Sequence, residues 1–369
     1  MASSARRLGV LGGGQLGLML GEAARSLGVE VCFVDPSADA CASAVGPVTA
    51  AGWDDVERIA EALDDCDVAT YEWEGVSAAL VEALPTPVRP GGRSLSTGQD
   101  RLLEKRCFET LGIATAPFRP VDGVSSLIEA IAAVGGPGIL KTRSGGYDGK
   151  GQVRIAAGSD ALGVAGAWGA LGVPSIYERM VHFEFEFSII VVRDAGGTVE
   201  AFPPIRNDHE RGILRLSRVP CELSPEIADA AREAAVRLAE HLGHVGILTL
   251  ECFATSDGFV ANEFAPRVHN SGHWTIEGAS TSQFEQHVRA VMGLPLMPIL
   301  VPGPVAMRNC IGRVPQADAI NAIPGATLHD YGKAPRHARK VGHVTVLAED
   351  SDQLEKRLAL LDAIIRDDG

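Results

Sequence analysis

Short apolar runs alternate with amphipathic stretches along the first hundred residues. The apolar run RLGVL at 7–11 is followed by the glycine-rich turn GGGQLG at 12–17, an amphipathic stretch at 18–28, and a second apolar run, VEVCFVD, at 29–35. Strand, glycine turn, helix and strand in this order predict a βαβ unit and therefore a parallel sheet. The same alternation predicts a helix at 54–63, a strand at 67–71 and a helix at 76–84. The prolines and glycines of PTPVRPGG at 85–92 indicate a domain boundary.

The rest of the chain mixes helical and strand periodicity. Its clearest helix begins after Ser224, which can cap it, has Pro225 in its first turn and can end at Gly243. Its apolar stripe consists of Ile227, Ala231, Ala234, Leu238 and Leu242. Further helices are predicted at 100–111, at 125–135 and from about 352, and strands at 136–143, 175–180, 184–193, 245–253, 259–264 and 341–348.

Composition narrows the class of protein. The 369 residues are 46% apolar and 22% charged, as in soluble globular proteins of two or three domains. A net charge of −14 argues against nucleic acid and anionic membranes as partners, so any phosphate must bind at a local basic site. Seven scattered cysteines without a CxxC spacing indicate reduced, mostly buried thiols. No apolar run is long enough to span a membrane, so we expect a cytoplasmic protein.

The glycine turn after the first strand satisfies GxGxxG through Gly12, Gly14 and Gly17, and Asp35 closes the next strand. This pattern is typical of a Rossmann fingerprint, in which glycines allow a pyrophosphate to approach a helix N-terminus. The same glycines would also suit a tight turn in a domain that binds no dinucleotide, with Asp35 merely forming a turn before Pro36. The motif alone leaves both interpretations open.

A second glycine-rich segment, KTRSGGYDGKGQ at 141–152, carries four glycines and three cations. It is not a P-loop, because the required first glycine falls on Ser144 and Gly151 replaces the Ser or Thr. Extended segments flank it, which predicts a hairpin lid whose amides approach phosphates while Lys141 and Lys150 supply positive charge. The alternative is an ordinary exposed hairpin.

A third segment, LTLECFATSDGFVANEFAPR, predicts a hairpin with two facing acids. A three-residue loop at 256–258, with Gly258 left-handed, sets Glu251 opposite Glu263. Facing carboxylates are destabilising unless a cation neutralises them, and oxygen ligands suit magnesium, with Asn262 as a further donor. A register shifted by one residue would instead place the acids on opposite faces.

Two clusters of donors follow this hairpin. Arg267, His269 and Asn270 suit a planar oxyanion such as bicarbonate or a carboxyl phosphate, although a solvated loop is the alternative. A basic cluster near the C-terminus is either a solvated turn or an anchor for a substrate phosphate. It consists of Lys333, Arg336, His337, Arg339 and Lys340.

These segments together resemble the ATP-grasp superfamily and, within it, the 5-(carboxyamino)imidazole ribonucleotide synthetase family. The similar stretches include GGGQLGLML, TYEWEGV, QDRLLEK, KTRSGGYDGKGQ, ERMVHFEFEFS, NDHERGILRLS, ECFATSDG, NEFAPRVHNSGHWT and RKVGH. The resemblance implies an α/β protein with three parts. These are a Rossmann-like domain at 1–98, an ATP-grasp domain at 99–297 with a mobile lid at about 115–180, and a small C-terminal domain at 298–369.

The resemblance also implies roles for individual residues. ATP would be bound by Arg101, Lys141, Gly146, Gly149, Gly151, Gln152, Glu178, Arg179, Met180, Val181, Glu186, His209, Asn262 and Glu263, with Glu178 and Val181 meeting adenine and ribose. Catalytic contacts to bicarbonate and the aminoimidazole would come from Tyr147, Asp148, Lys150, Arg267, His269 and Asn270. Magnesium ligands would be Glu251 and Glu263, and the ribonucleotide phosphate would be held by Lys333, Arg336, Arg339 and Lys340. FEFEFS and the pair Arg179–Met180 depart from the family's usual sequence.

The activity implied is ATP-dependent carboxylation of 5-aminoimidazole ribonucleotide with bicarbonate, through carboxyphosphate, in purine biosynthesis. The implied cofactors are ATP and magnesium, and the implied assembly is a homodimer. Three alternatives stay open: another ATP-grasp ligase that uses formate or biotin, an NAD-dependent oxidoreductase built on the glycine turn, and a nucleotide sensor without catalysis.

Overall fold

The computed structural model describes residues 6–146 and 150–365. Its first part is a parallel four-stranded sheet with strand order β3-β2-β1-β4, as the βαβ pattern predicts. The elements are β1 (Arg7–Leu11), α1 (Gln15–Ser26), β2 (Glu30–Asp35), β3 (Val48–Ala50), α2 (Val56–Leu63), β4 (Val68–Tyr71), α3 (Ala78–Ala83) and α4 (Gly92–Gln99). Helix α1 begins before the predicted stretch, so Gly17 lies inside it, where a Cβ would come within 2.8 Å of the Gly12 carbonyl oxygen.

The second part is an antiparallel four-stranded sheet with the order β5-β8-β6-β7. Its elements are α5 (Arg101–Thr110), β5 (Phe118–Val121), α6 (Val124–Val134), β6 (Gly138–Thr142), β7 (Gln152–Ile155), α7 (Ala161–Leu171) and β8 (Ser175–Arg179). Strands β6 and β7 pair with Leu140 opposite Val153, which confirms the predicted hairpin around the glycine-rich segment. Residues 147–149 of this segment lie outside the described part of the chain.

The third part is a nine-stranded sheet in which β10 pairs with β9 beside the path β14-β13-β9-β11-β12-β15-β17-β16. The first half comprises β9 (Phe185–Arg193), β10 (Val199–Ala201), β11 (Ile205–Glu210), β12 (Ile213–Val219), α8 (Pro225–His241), β13 (Gly246–Thr255) and β14 (Gly258–Ala265). The second half comprises α9 (Thr275–Gly278), α10 (Gln283–Met292), β15 (Val305–Ile311), α11 (Ala317–Asn321), β16 (Ala326–Asp330), β17 (Lys340–Leu347) and α12 (Ser351–Ile364). Since β12 pairs with β15, the sheet continues across residue 298, where sequence placed a domain boundary.

Helix α8 has the cap, the buried apolar face and the terminal glycine that its sequence predicts. The Ser224 hydroxyl accepts a hydrogen bond from the Ile227 amide at 3.3 Å, and Gly243 after the helix has φ +60°. Its buried face, which includes Ala231 and Leu238, packs with the apolar residues of β9 and β13. In the described residues, all seven cysteines are free. None of the helices in residues 6–146 and 150–365 has the length and apolar character required to cross a membrane.

His287 joins the first sheet to the third. The Ile247 amide donates to His287 Nδ1 at 3.0 Å, so Nε2 carries the proton and donates to the Thr70 hydroxyl at 2.8 Å. Burial lowers the pKa of His287 from 6.5 to about 3, and nearby His244 adds to the decrease. A folded-state pKa below the unfolded one means that stability is lost as pH falls from 6.5 toward 3.

We therefore expect the free energy of unfolding of His287→Gln to depend less steeply on pH below 6.5 than that of the wild type. The wild-type free energy of unfolding should fall faster below pH 6.5, by up to about 1.4 kcal/mol per pH unit for this one group. Urea unfolding of both proteins at several pH values measures the difference. His182→Gln, at an exposed position, is the control and should keep the wild-type slope. If the free energy of unfolding fell equally fast with pH in the wild type and in His287→Gln, the lowered pKa of His287 would be contradicted.

Candidate active site

The hairpin of β13 and β14 brings two acids together. Glu251 pairs directly with Glu263, which confirms the predicted pairing, but the route to it differs. The loop has two residues rather than three, since Thr255 pairs with Gly258, and Gly258 has φ +145° instead of a left-handed helical conformation. A bulge beside Glu251 leaves Asn262 outside the ladder and restores the register. The loop was predicted one residue too long and the bulge was not predicted, and these two errors cancelled at Glu251 and Glu263. A bulge cannot be recognised from the sequence alone.

The two carboxylates have different partners. Glu251 Oε1 lies 3.1 Å from His269 Nε2, and Glu263 Oε2 lies 3.6 Å from an Arg101 guanidinium nitrogen. Burial would raise the pKa of Glu251, but His269 outweighs it and the pKa falls to about 2. The pKa of Glu263 is raised by its enclosure and by the charge of Glu251. The pair therefore retains a repulsion that a bound cation would relieve.

This donor set fits magnesium. Within residues 6–146 and 150–365, no group of three or more His, Cys, Asp and Glu converges as a complete metal site. Magnesium does not require one, because it is commonly held by one or two carboxylates together with substrate phosphates. Glu251 and Glu263 supply those carboxylates, and the Asn262 bulge lies next to them.

A buried cluster of charges lies at the strand pair β6–β8. Lys141 Nζ donates to Glu178 Oε2 at 2.8 Å, and Lys105 Nζ lies 3.7 Å from Glu178 Oε1. Burial would raise the pKa of Glu178, but Lys105 and Lys141 outweigh it and lower the pKa to about 2. The Glu178 carboxylate thus faces the two lysines, whereas the resemblance placed this residue at adenine and ribose.

Lys105 is a buried cation that sequence analysis missed. It is 1% exposed and also donates to the Thr115 hydroxyl at 2.9 Å. A signal was present, because Lys105 lies three residues after Leu102 and three before Phe108, within the apolar stripe of α5. A lysine at such a position needs a buried acid as its partner.

Arg101 connects the base of the glycine-rich hairpin to the acidic pair. Its guanidinium donates to the carbonyl oxygens of Thr142 at 3.1 Å and Gly146 at 3.3 Å, while also approaching Glu263. Gly151, with φ +70°, accepts a hydrogen bond from the Thr142 amide at 2.9 Å and closes the hairpin base. Lys150 and Gln152 are exposed on the same hairpin. The predicted site residues Tyr147, Asp148 and Gly149 lie outside the described residues.

The segment after β8 and the neighbouring strands hold the remaining residues assigned to ATP. Arg179 is exposed, and Met180 and Val181 are half-buried where β8 ends. Glu186 on β9 lies 3.1 Å from His209 on β11, so the structure brings these two predicted residues together. Burial would lower the pKa of His209, but Glu186 outweighs it and the pKa is raised.

The loop after β14 holds donors that lack acceptors. Arg267 pairs with Glu74 at 2.8 Å through one terminal nitrogen, yet its buried Nε has no hydrogen-bond partner among the described residues. The buried Asn270 Nδ2 likewise has no acceptor within the described chain. Buried donors are normally satisfied, so an anion bound at these donors would complete them. Glu74 was not predicted as a site residue, although it lies in the family-like stretch TYEWEGV.

The glycine turn after β1 is filled by carboxylates of the same chain. The Gly13 amide donates to Asp35 Oδ2 at 2.9 Å, and the Gly14 amide donates to Glu72 Oε1 at 2.8 Å. A Cβ at Gly12 would lie 2.7 Å from the Glu72 side chain. The amides that would bind a pyrophosphate are therefore already occupied by negative groups, which favours the interpretation without a dinucleotide.

The predicted basic cluster divides by burial. Lys333 is half-buried and donates to the Gln15 side chain, so it reaches from the third part of the protein to the glycine turn. Lys340 is also half-buried, at the start of β17, whereas Arg336, His337 and Arg339 are exposed. Burial lowers the pKa of Lys333. Gln15 was not foreseen as a site residue.

Comparison with known proteins shows the family to which the chain belongs. Three family models match: a ribonucleotide synthetase preATP-grasp domain at residues 5–99, an ATP-grasp domain at 106–284, and a phosphoribosylaminoimidazole carboxylase C-terminal domain at 305–357. N5-carboxyaminoimidazole ribonucleotide synthase of Pseudomonas aeruginosa is 44% identical over 97% of this chain and 99% of the relative. The corresponding protein of Brucella melitensis is 45% identical over 92% of this chain and 95% of the relative.

Solved structures give the same result. N5-carboxyaminoimidazole ribonucleotide synthetase of Thermus thermophilus has a TM-score of 0.93 and 42% identity, covering 98% of this chain and 99% of that one. The Aspergillus clavatus synthase in complex with ADP and 5-aminoimidazole ribonucleotide has a TM-score of 0.87 and 29% identity. The match covers 98% of this chain and 99% of that chain. The chain therefore belongs to the N5-carboxyaminoimidazole ribonucleotide synthase family of ATP-grasp ligases.

Proposed function

We infer that this site catalyses the ATP-dependent carboxylation of 5-aminoimidazole ribonucleotide to N5-carboxyaminoimidazole ribonucleotide, a reaction of purine biosynthesis that releases ADP and phosphate. One geometric observation supports it most directly. The facing carboxylates Glu251 and Glu263 are joined through Glu251 to His269, and the same loop carries the buried donors of Arg267 and Asn270 that lack acceptors in the described chain; this suits a cation-bound nucleotide together with a small oxyanion.

Bicarbonate needs activation, because hydroxide is a very poor leaving group. Transfer of the γ-phosphoryl group of ATP to bicarbonate gives carboxyphosphate, and the imidazole amine then attacks this species or the carbon dioxide released from it. Such a transfer depends mainly on positioning and electrostatic stabilisation. Magnesium held by Glu251 and Glu263 would offset negative charge on the ATP phosphates. Lys141, fixed by Glu178, adds a positive charge on the hairpin side.

The remaining assignments are proposals of the same kind. Arg267 Nε and Asn270 Nδ2 would donate to bicarbonate or carboxyphosphate, with His269 beside them. The hairpin carrying Lys150 would exclude water, which hydrolyses carboxyphosphate. Tyr147 and Asp148, which lie outside the described residues, would contact the imidazole substrate. Adenine would lie against the segment 179–181 and ribose near Glu186 and His209.

The imidazole ribonucleotide would lie between the glycine turn and the basic cluster. Lys333 reaches this turn and is the strongest candidate for its phosphate, with Lys340, Arg336 and Arg339 around it. We also propose a cytoplasmic location and a homodimeric assembly. The resemblance to the family supports the dimer, and the scattered reduced cysteines support the location.

An ADP-release assay tests the function. We expect ADP formation to require both bicarbonate and 5-aminoimidazole ribonucleotide, and to stop when magnesium is chelated. Formate or biotin in place of these substrates should give no stimulation. Stimulation by either would indicate a different ATP-grasp ligase, and ATP binding without substrate-stimulated turnover would indicate a sensor. Tight NADH binding without ATP turnover would support the oxidoreductase instead.

A further inference from the structure

A buried file of polar side chains leads from the nine-stranded sheet to the back of His269. The Ser217 hydroxyl donates to Asn207 Oδ1 at 2.7 Å, and Asn207 Nδ2 donates to the Ser188 hydroxyl oxygen at 3.0 Å. The Ser188 and Ser271 hydroxyls are 2.8 Å apart, and the Ser271 hydroxyl lies 2.9 Å from His269 Nδ1. Each of the first four residues is at most 3% exposed. We call these four residues the polar file.

The bonds of the polar file have one consistent direction. Since the Ser188 oxygen accepts from Asn207, its own proton is free to be donated to the Ser271 oxygen. The Ser271 hydroxyl proton then points to His269 Nδ1, and the Ser271 backbone amide also points there at 3.3 Å. Two donors converge on Nδ1, so Nδ1 is an acceptor and carries no proton.

The other side of the imidazole requires the same arrangement. His269 Nε2 lies 3.1 Å from Glu251 Oε1, a carboxylate oxygen that can only accept. A proton on Nε2 satisfies this contact. The reversed file would put the proton on Nδ1 and direct the lone pair of Nε2 at a carboxylate, in a setting where burial strengthens the repulsion.

We propose that Asn207, Ser188 and Ser271 are positioning residues that hold the His269 proton on Nε2, with Ser217 only at the outer end of the polar file. None of the four needs to touch a substrate. Their effect is transmitted through hydrogen bonds that set the ring orientation and the nitrogen that donates. Outer hydrogen-bond partners fix the tautomer of functional histidines in this way in metal sites.

The consequence for the reaction rests on the proposed function. With its proton on Nε2, His269 donates to Glu251 Oε1 and holds one of the two carboxylates that would bind magnesium. A carboxylate that is already aligned needs no reorganisation during the reaction. A His269 with its proton on Nδ1 would lose that hydrogen bond while the fold stayed intact.

Asn207→Asp tests the proposal, because an ionised carboxylate only accepts. The Ser188 hydroxyl then donates to residue 207 instead of to Ser271, so the Ser271 hydroxyl can turn toward Ser188 and no longer holds Nδ1 as an acceptor; the Ser271 amide alone then opposes a proton on Nδ1. Imidazole ¹⁵N NMR of the substrate-free protein, with the His269 signal assigned by His269→Gln, reports which nitrogen is protonated. We expect protonated Nε2 in the wild type and a clearly larger fraction of protonated Nδ1 in Asn207→Asp. We also expect kcat to fall by about 10- to 100-fold, with KM for ATP nearly unchanged.

Ser217→Ala is the matched control, since Asn207 still donates to Ser188 and the tautomer should remain that of the wild type. If Asn207→Asp does not fold, Ser271→Ala replaces it and should populate both tautomers. A protonated Nδ1 in the wild type, an unchanged tautomer in both variants, or an altered tautomer with unchanged kcat would overturn the proposal. The wild-type tautomer is measured without substrates, so a failure of the carboxylation assay would be distinguished from a failure of this inference.

Discussion

Glu263→Gln should lower kcat/KM for ATP-dependent carboxylation by about a thousandfold or more while the protein remains folded. Glutamine keeps the shape of the side chain but removes one of the two facing negative charges, and with it the ability to share a divalent cation with Glu251. Steady-state ADP release across a magnesium titration measures the effect. We expect excess magnesium to restore only a small part of the activity.

The same variant should not lose stability. The pKa of Glu263 is raised by its enclosure and by Glu251, so the folded protein already disfavours this charge, and an uncharged amide relieves the repulsion. Asp257→Asn removes a carboxylate from the exposed turn of the same hairpin and should keep wild-type activity. If Glu263→Gln turned over at a near-normal rate, the metal assignment would be wrong.

Glu178→Met should destabilise the protein by about 3–5 kcal/mol, the usual cost of leaving a buried charge without its partner. Lys105 is 1% exposed and would lose the acid that faces it. The pKa of Glu178 is lowered to about 2, so its stabilising effect is full above 4.5 and is lost as pH falls toward 2. Urea unfolding at neutral pH and near pH 3 should show a smaller gap between variant and wild type at the lower pH.

The double variant Lys105→Met/Glu178→Met separates stability from activity. With both buried charges replaced by apolar groups of similar length, much of the lost stability should return. Activity should stay low, because Lys141 no longer has Glu178 to hold it at 2.8 Å. A double variant as unstable as Glu178→Met would show that the cost came from packing rather than from an unpaired lysine.

Local sequence signals accounted for most of the elements that carry the site. The parallel first sheet, the helix from Pro225 to His241 and the hairpin around residues 143–151 all have the predicted type. Each depends on interactions within a few residues: apolar periodicity, a capping Ser224, or glycines that permit a turn. Helix α4 and the hairpin of β11 and β12 were missed from periodicity, since both mix polar and apolar residues without a clear repeat.

The composition and order of the motifs also determined the class of chemistry. A net negative chain with a glycine-rich hairpin, two facing acids and a basic cluster needs a local phosphate site, and the family resemblance added the substrates. The predicted pairing of Glu251 with Glu263 was correct only because a loop predicted one residue too long offset the bulge, and the bulge itself could not be predicted, since one extra residue leaves no mark in the pattern.

Tertiary structure alone decided which groups meet across long separations in the chain. Glu72 and Asp35 occupy the amides of the glycine turn, Lys333 reaches Gln15, and Lys105 shares Glu178 with Lys141. The polar file behind His269 likewise joins three strands to one loop. These contacts depend on how sheets and helices pack and on the burial that makes an unpaired charge or donor costly. Neither the packing nor the burial can be predicted from the spacing of neighbouring residues. The sequence by itself therefore determined which chemical groups are available, and the tertiary structure determined which of them are partners.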